Sequence, residues 1–201
     1  MNRPPKPASD LPLLAWGDER AAREARIKRQ LRWSAGVAGL LLLASTIAAP
    51  PKPLLVWNAS PSAPIGLYFV HHSDHIKPGD MVVAWPPKPV RRLAADRHYI
   101  PYNVPLVKRV VAADHDWVCA FGDQVTIDGG WVIPRRKLDG KGRRLPWWQG
   151  CKLIDKGQLF LMMEEHSDSF DGRYFGVTDA TDVIGKAELI WAKPSQGSGG
   201  E

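Results

Sequence analysis

Cysteine is scarce in this sequence of 201 residues, which contains two, Cys119 and Cys151, and no CxxC pair. Two separated thiols are too few to build a structural zinc site unaided. They are able to form one disulfide in an oxidising compartment, whereas free thiols are expected in the cytosol. The strand-like run around Cys119 also suits a small buried hydrophobe, so both outcomes stay open at this level.

The sequence also lacks a basic stripe interleaved with aromatic residues. Its net charge is +6, but residues 1–32 hold eight Lys/Arg against four Asp/Glu and so account for +4 of it. The other 169 residues carry only +2. Because the basic excess belongs to the N-terminus, we do not expect the folded part to bind nucleic acid.

Charge is absent from the apolar run between Trp33 and Pro51, which approaches the roughly 20 residues needed to span a bilayer. The basic stretch Arg20–Arg32 precedes it and places the N-terminus in the cytoplasm by the positive-inside rule. A cleavable signal peptide is disfavoured by the 32 residues before the run. A buried core helix is disfavoured by the abrupt change from basic to uncharged residues.

These features predict a single-pass protein of the inner (cytoplasmic) membrane with a periplasmic, or otherwise extracytoplasmic, domain. The predicted segments are a basic cytoplasmic tail (1–32), a transmembrane anchor (33–52), the extracytoplasmic domain (53–193) and a disordered tail (194–201).

Helical periodicity is missing after the anchor, where short runs rich in valine and aromatics alternate with Gly, Pro and Asp. This pattern is typical of β structure. The stretch VTIDGGWVI (125–133) predicts a hairpin that turns at Asp128-Gly129-Gly130. Further strands are predicted in MVVAW (after the turn KPGD), VPLVKRVVA, DWVCAF, QLFLMME and AELIWA. Residues 134–150, here called the basic segment, predict a mobile loop. The fold class is therefore mainly β.

Ser62 lies between Pro61 and Pro64 in the stretch NASPSAPIGLYF. The two prolines limit the conformations of this turn, so fixing the Ser62 hydroxyl in one position costs little further conformational entropy. A serine acts as a nucleophile only with a base to take its proton. The histidines of HHSDH (71–75) could bind a metal together with Asp74, but a solvated loop is the favoured interpretation, and no histidine is singled out as a partner for Ser62.

Lysine is the other candidate base. In PLVKRVV, Lys108 alternates onto the same strand face as Leu106 and Val110. To act as a base it would need a pKa about three units below the free value, at a cost of about 4 kcal/mol. The alternative is an edge-strand lysine with its ammonium group in water. A third polar stretch, EEHSDSFDGRYFG (164–176), could be a simple polar turn with a local Asp171–Arg173 pair.

Three segments in this order, SPSAPIGLY, LVKRVVA and SDSFDGRYFG, resemble the type I signal peptidases that use a serine–lysine dyad. The form of the first segment looks most like the TraF-like branch, whose members mature pilin subunits for conjugative transfer. The resemblance implies a signal-peptidase-like β domain of antiparallel sheets after one N-terminal transmembrane helix. It covers residues 57–191.

The resemblance also implies roles for individual residues. Ser62 matches the nucleophile and Lys108 the general base, while Ser60 and the backbone N–H of Ser62 match the oxyanion hole. Ser169 matches the hydroxyl that orients the lysine amine, and Asp171 with Arg173 matches a supporting ion pair. The chain departs from the general enzymes in the shorter spacing of Ser62-Ala63-Pro64 and in Gly172, where serine is usual.

No cofactor is implied. The expected partners are an exported, pilin-like precursor with small residues before the cut and membrane lipid, with a secretion or conjugation apparatus as a further candidate. The Arg135–Arg144 part of the basic segment suits anionic lipid or such an apparatus, although a solvated loop is the plainer expectation. Two other functional hypotheses stay open: a housekeeping signal peptidase with broad substrates, and a catalytically inactive membrane-anchored assembly scaffold.

Overall fold

A computed structural model describes residues 11–48, 52–73 and 75–194. It divides into an N-terminal helical unit and a β domain that begins at Lys52. The predicted disordered tail, 194–201, lies outside the described residues except for Pro194.

The described part of the N-terminal unit is one helix of 38 residues, α1 (Leu11–Ala48), so much of the predicted basic tail is helical and continuous with the apolar run. Its Arg20–Ala48 portion contains an 18-residue window with a mean hydropathy of 1.5, which is long and apolar enough to cross a membrane. The four consecutive leucines at 40–43 place apolar side chains on every side of the helix, as a lipid-facing helix requires. By length and composition this helix is a membrane anchor or a signal sequence.

The larger sheet of the β domain has seven strands in the order β1-β2-β11-β3-β4-β9-β10, and its neighbouring strands pair antiparallel. The strands in this sheet are β1 (Leu55–Asn58), β2 (Gly66–His71), β3 (Met81–Ala84), β4 (Leu106–Ala112), β9 (Gln158–Met162), β10 (Thr178–Asp179) and β11 (Val183–Ala192). Strand β1 forms one edge, whereas β4 lies between β3 and β9.

The smaller sheet has four strands in the order β7-β6-β5-β8, which are β5 (Trp117–Phe121), β6 (Gln124–Ile127), β7 (Trp131–Pro134) and β8 (Gly150–Leu153). The predicted hairpin is confirmed, since β6 and β7 pair with Ile127 opposite Trp131. Its turn places Asp128 and Gly129 at φ 48° and 69°, the left-handed conformation that Asp and Gly tolerate best.

The two cysteines form a disulfide. Strands β5 and β8 pair antiparallel with Cys119 directly opposite Cys151, and their Cα atoms lie 3.9 Å apart. The register of this strand pair brings together two residues that are 32 positions apart in the chain. Of the two outcomes left open by the sequence, the structure therefore has the disulfide.

Apolar side chains join the two sheets. Phe160 and Met162 of β9 pack with Val118 and Ala120 of β5 and with Ile133 of β7 in one buried cluster. A second cluster lies under the turn that carries Ser62 and includes Ala63, Tyr68, Val70, Val83, Val107, Met163 and Ile184. Because Ala63 is only 1% exposed, the residue next to Ser62 is fixed in the core.

Two short helices in the β domain are not predicted by the sequence, in which no helical periodicity is recognised after the anchor. Helix α2 (Lys88–Asp96) has nine residues, of which Ala94 is buried, and α3 (Gly172–Phe175) has four. Helix α2 begins among the prolines at 86, 87 and 89, which the sequence pattern assigns to turns. Proline is well tolerated in a first helical turn, so the helix forms there.

Candidate active site

The turn between β1 and β2, residues 58–66, carries Ser62 and is organised by Asn58, the last residue of β1. The Asn58 Nδ2 donates to the carbonyl oxygens of Ser60 (2.9 Å), Ala63 (3.0 Å) and Pro64 (3.1 Å), and Oδ1 accepts from the Ser60 backbone N–H at 3.1 Å. Since the two prolines have no N–H to donate, this side chain satisfies carbonyls that the backbone cannot. The sequence pattern alone does not single out Asn58, although asparagine is typical of such turns.

Lys108 lies in β4, an interior strand of the seven-stranded sheet, and is 2% exposed. The alternative of an edge-strand lysine with its ammonium group in water is therefore wrong. The Nζ atom lies 2.8 Å from Ser62 Oγ and 2.8 Å from Ser169 Oγ. The structure thus brings together three polar side chains from three separate segments of the chain.

Burial lowers the pKa of Lys108 from 10.5 to about 8, because the charged ammonium loses its hydration in the sheet interior. The nearby Asp171 carboxylate acts in the opposite direction and raises this pKa, while the Arg173 guanidinium lowers it. A lysine with a pKa near 8 is neutral in a substantial fraction of molecules at slightly alkaline pH. A neutral amine is able to accept a proton from a neighbouring hydroxyl.

Ser60 lies beside Ser62 on the exposed side of the turn. The Ser60 Oγ is 3.0 Å from Ser62 Oγ and accepts a long hydrogen bond of 3.4 Å from the Ser62 backbone N–H. The hydroxyl and this N–H are therefore adjacent donors next to the Ser62 hydroxyl. Two such donors have the composition of an oxyanion hole.

The Asp171–Arg173 pair is buried, with side-chain exposures of 0% and 1%, rather than the exposed polar pair that the sequence also allowed. Its geometry is bidentate: Arg173 Nε lies 2.9 Å from Asp171 Oδ1, and Nη2 lies 2.8 Å from Oδ2. Nη2 also donates to the carbonyl oxygens of His166, at 2.7 Å, and of Ser169, at 3.3 Å. The pair thereby fixes the backbone that positions the Ser169 hydroxyl against Lys108.

Gly172, one of the departures from the signal peptidase pattern, has a packing explanation. A Cβ atom built there would lie 2.8 Å from the Phe160 ring and 2.9 Å from the Leu161 carbonyl oxygen. Both distances are shorter than carbon contacts permit, so a serine would require the neighbouring strand to shift. The close approach of this turn to β9 selects glycine.

The basic segment is not simply the solvated loop that its charge suggested. Arg135 is 4% exposed, lies 3.7 Å from the centre of the Trp147 ring, and donates to the carbonyl oxygens of Gly122 and Arg173. The Trp148 indole N–H donates to the Gly172 carbonyl oxygen at 3.1 Å. Thus this segment packs against the turn that holds Ser169, whereas Lys137, Lys141 and Arg144 are exposed.

The histidine cluster does not form a metal site in the described part of the chain. His71 ends β2 and pairs with Glu188 at 2.7 Å, and the residues described there include no group of three metal-binding side chains. Asp74 lies outside the described residues. Lys108, rather than a histidine, contacts the Ser62 hydroxyl.

A cleft of about 290 Å³ opens beside Ser62 and Lys108. One wall is the edge strand β1, with Val56 and Trp57, and the opposite wall includes Val104 and Leu106. These walls are mostly apolar, and the cleft is small. A short apolar side chain next to a carbonyl at Ser62 fits its size and chemistry.

The fold and this site define the class of protein. The family described as signal peptidase, peptidase S26, matches residues 27–192, and the chain belongs to this family. Within it, the chain is similar to plasmid transfer proteins named TraF. One from Escherichia coli is 34% identical over 74% of this chain and 86% of its own length, and a second from Escherichia coli is 32% identical over 80% and 94%.

A probable conjugal transfer protein TraF from Sinorhizobium fredii (strain NBRC 101917 / NGR234) is 32% identical over 66% of this chain and 74% of its own length. Among solved structures, a signal peptidase I from Enterococcus faecalis V583 matches 57% of this chain and 98% of its own, with 18% identity and a TM-score of 0.32. The structural match is too distant to carry an argument. The family assignment rests on the family model and the TraF relatives, and it agrees with the resemblance seen in the sequence.

Proposed function

We propose that this protein is a membrane-anchored serine endopeptidase that cleaves exported precursor proteins by acyl transfer to Ser62. The observation that carries the proposal is the position of Lys108, whose buried Nζ lies 2.8 Å from the Ser62 hydroxyl. Placing a lysine in a sheet interior is costly, so a catalytic use offers a physical reason for it. Ser169 holds the same nitrogen from a second direction.

In the first half of the reaction, neutral Lys108 takes the proton of the Ser62 hydroxyl while Oγ attacks the scissile carbonyl. The oxyanion that forms accepts hydrogen bonds from the Ser60 hydroxyl and the Ser62 backbone N–H. Protonated Lys108 then gives its proton to the leaving amine as the carbon–nitrogen bond breaks. An ester between the substrate and Ser62 is left, and Lys108 is neutral again.

The second half releases this ester. When water attacks, Lys108 takes a proton from it and returns that proton to Ser62 Oγ, so the product is a linear carboxylic acid. When an amine of the substrate attacks instead, the same proton transfers form an amide bond, and the product is cyclic. A cyclic product is lighter by one water than the linear form.

The substrate class follows from the relatives and from the cleft. The similar proteins carry the names plasmid transfer protein and conjugal transfer protein, which supports a pilin-like precursor of a conjugation system as substrate. The small apolar cleft suits small residues before the cut. We propose the inner membrane as location, with a cytoplasmic N-terminus (1–32), an anchor (33–52) and a periplasmic peptidase domain (53–193).

The test compares wild type, Ser62→Ala and Lys108→Ala on a candidate pilin precursor in membranes, with product masses read by mass spectrometry. Both variants are expected to leave the precursor intact, with losses above about 10³-fold. Processing at the wild-type rate by either variant would show that the serine–lysine reaction is wrong.

The same experiment separates the rival functions. A housekeeping signal peptidase would cleave unrelated exported precursors as efficiently as the pilin. An inactive assembly scaffold would leave every precursor intact in the wild type as well. The retained contacts of Ser62, Lys108 and Ser169 favour an active enzyme over the scaffold.

A further inference from the structure

A second cavity, of about 480 Å³, also reaches Ser62 and is lined by the basic segment and by residues of the 166–174 stretch, neither of which contributes to the first cleft apart from Phe170. The two cavities share Ser60, Ser62, Tyr99 and Phe170 in their linings, so they meet at the nucleophile. A polypeptide whose scissile carbonyl lies at Ser62 has to extend in both directions from it. One cavity therefore faces the acyl part of the substrate, and the other faces the leaving part.

The smaller cleft is the better fit to the acyl part. It runs along β1, whose outer edge offers unpaired backbone groups to an extended peptide. The second cavity, here called the leaving-side cavity, then lies where the chain continues after the cut.

The walls of the leaving-side cavity are largely apolar and aromatic. Leu138 and Leu145 of the basic segment form one side. On the other side the Phe170 ring stacks on Tyr174, with 6.0 Å between ring centres, and contacts Tyr99 at 4.9 Å. A cavity of this size and composition accepts a large apolar or aromatic side chain.

The acidic and arginine side chains that line this cavity form ion pairs. Asp139 accepts from the Tyr99 hydroxyl at 2.5 Å and from Arg143 Nε at 2.7 Å. At the rim, Arg136 forms an ion pair with Asp168. These pairs leave little net charge for a ligand, so apolar contact is the main source of recognition. The Asp139–Tyr99 hydrogen bond also ties the basic segment to the opposite wall, which keeps Leu138 in place.

We propose that the leaving-side cavity binds the residue after the cut and, once the ester has formed, the residue that carries the attacking amine. This inference rests on the proposed function. An amine that attacks the ester retraces the path of the amine that left, so both occupy one position. The amine nitrogen forms the new amide bond, the ester bond to Ser62 Oγ breaks, and Lys108 carries the proton from nitrogen to oxygen. The occupancy of this cavity thereby sets the ratio of amide formation to hydrolysis.

The experiment uses the full chain in detergent and a synthetic precursor peptide with alanine before the cut. Glycinamide, leucinamide or phenylalaninamide is added as the attacking amine, and mass spectrometry measures amide product against hydrolysed product. We expect the amide-to-acid ratio with phenylalaninamide to exceed that with glycinamide about tenfold at equal concentration, as for an added apolar group in a pocket. Equal ratios for the three amines would overturn the proposal.

Leu138→Ala tests the wall itself, and because Leu138 is 48% exposed this variant is expected to fold. We expect the preference for phenylalaninamide to fall about fourfold, which corresponds to one buried methylene group. Leu138→Phe, which fills the cavity, is expected to reduce amide formation with phenylalaninamide. The matched control is Lys137→Ala, at the neighbouring residue of the basic segment, which does not line the leaving-side cavity and whose loss should preserve the preference.

Two failures are distinguishable. If the wild type forms no ester on Ser62, detected as an adduct by mass spectrometry of the denatured protein, the proposed function has failed. If the ester forms but Leu138→Ala and Lys137→Ala retain the same preference, the function stands and the leaving-side cavity is wrong.

Discussion

Lys108 Nζ lies 2.8 Å from Ser62 Oγ, although 46 positions separate the two residues in the chain. Ser62 is held by a turn between β1 and β2, and Lys108 by an interior strand. The contact therefore forms only when the seven-stranded sheet has assembled.

The rate of cleavage should rise with pH around a midpoint near 8, because Lys108 accepts a proton only when neutral and burial lowers its pKa to about 8. The measurement is kcat/KM for a peptide substrate between pH 6 and 10. A rise centred near the ordinary histidine pKa of about 6.5 would instead indicate a histidine base.

Lys108→Met should abolish cleavage and still increase stability at pH 7. Lowering the lysine pKa from 10.5 to about 8 costs roughly 3 kcal/mol, and the two hydrogen bonds to serines return about 1 kcal/mol each. A net gain of about 1 kcal/mol in the free energy of unfolding is expected from chemical denaturation.

This gain should depend on pH in a specific direction. Between about pH 8 and 10.5 the unfolded wild type binds more protons than the folded one, so wild-type stability rises with pH there and the advantage of the variant shrinks. Lys152→Met, at an exposed lysine of β8, is the control and should show no such dependence. An unchanged advantage up to pH 10.5 would contradict the assignment.

If Ser60 donates to the oxyanion as proposed, Ser60→Ala should lower kcat about 10²–10³-fold with little change in KM, because such a donor contacts the oxyanion rather than the bound substrate. The exposed position of Ser60 means that the fold should not suffer. Steady-state kinetics measures the effect, with Ser73→Ala, which lines neither cavity beside Ser62, as a control. A kcat within twofold of wild type would remove Ser60 from the oxyanion hole.

Asp171→Asn should destabilise the protein by about 3–5 kcal/mol, because it leaves the buried Arg173 guanidinium without its counter-charge. The control is Asp168→Asn, which breaks an ion pair whose side chains are 56% and 76% exposed and should cost less than about 1 kcal/mol. Urea denaturation of both variants measures the difference. Similar losses in the two would show that burial of the Asp171–Arg173 pair is not what matters.

Replacing Cys119 and Cys151 together by serine should cost about 3 kcal/mol, as expected for a cross-link spanning 32 positions. Activity at low temperature should persist, since neither cysteine lines the two cavities beside Ser62. Thermal unfolding with and without a reductant measures the effect. Reductant should destabilise the wild type and leave the double variant unchanged.

The turns and strands of this protein could be predicted from the sequence because they depend on local patterns. The prolines around Ser62, the Asp128-Gly129-Gly130 turn and the strand alternation follow from backbone restrictions that act within a few residues. The same local patterns did not predict α2, because its prolines are as compatible with a loop turn as with the first turn of a helix. The basic segment was misread for a related reason: its charges indicate solvent, whereas Arg135 is buried against Trp147 and donates to the carbonyl oxygens of Gly122 and Arg173.

The sequence by itself determined which residue types were present in which turns and strands, including Ser62, Lys108 and the Ser169–Arg173 stretch. Only the tertiary structure decided the burial of those residues and the partners they contact. Lys108 lost its hydration because β3 and β9 flank β4, and Asp171 with Arg173 became a buried pair because their turn packs against β9. The disulfide formed because β5 and β8 pair in one register. Burial and strand register are set by segments far apart in the chain, so no local pattern contains them.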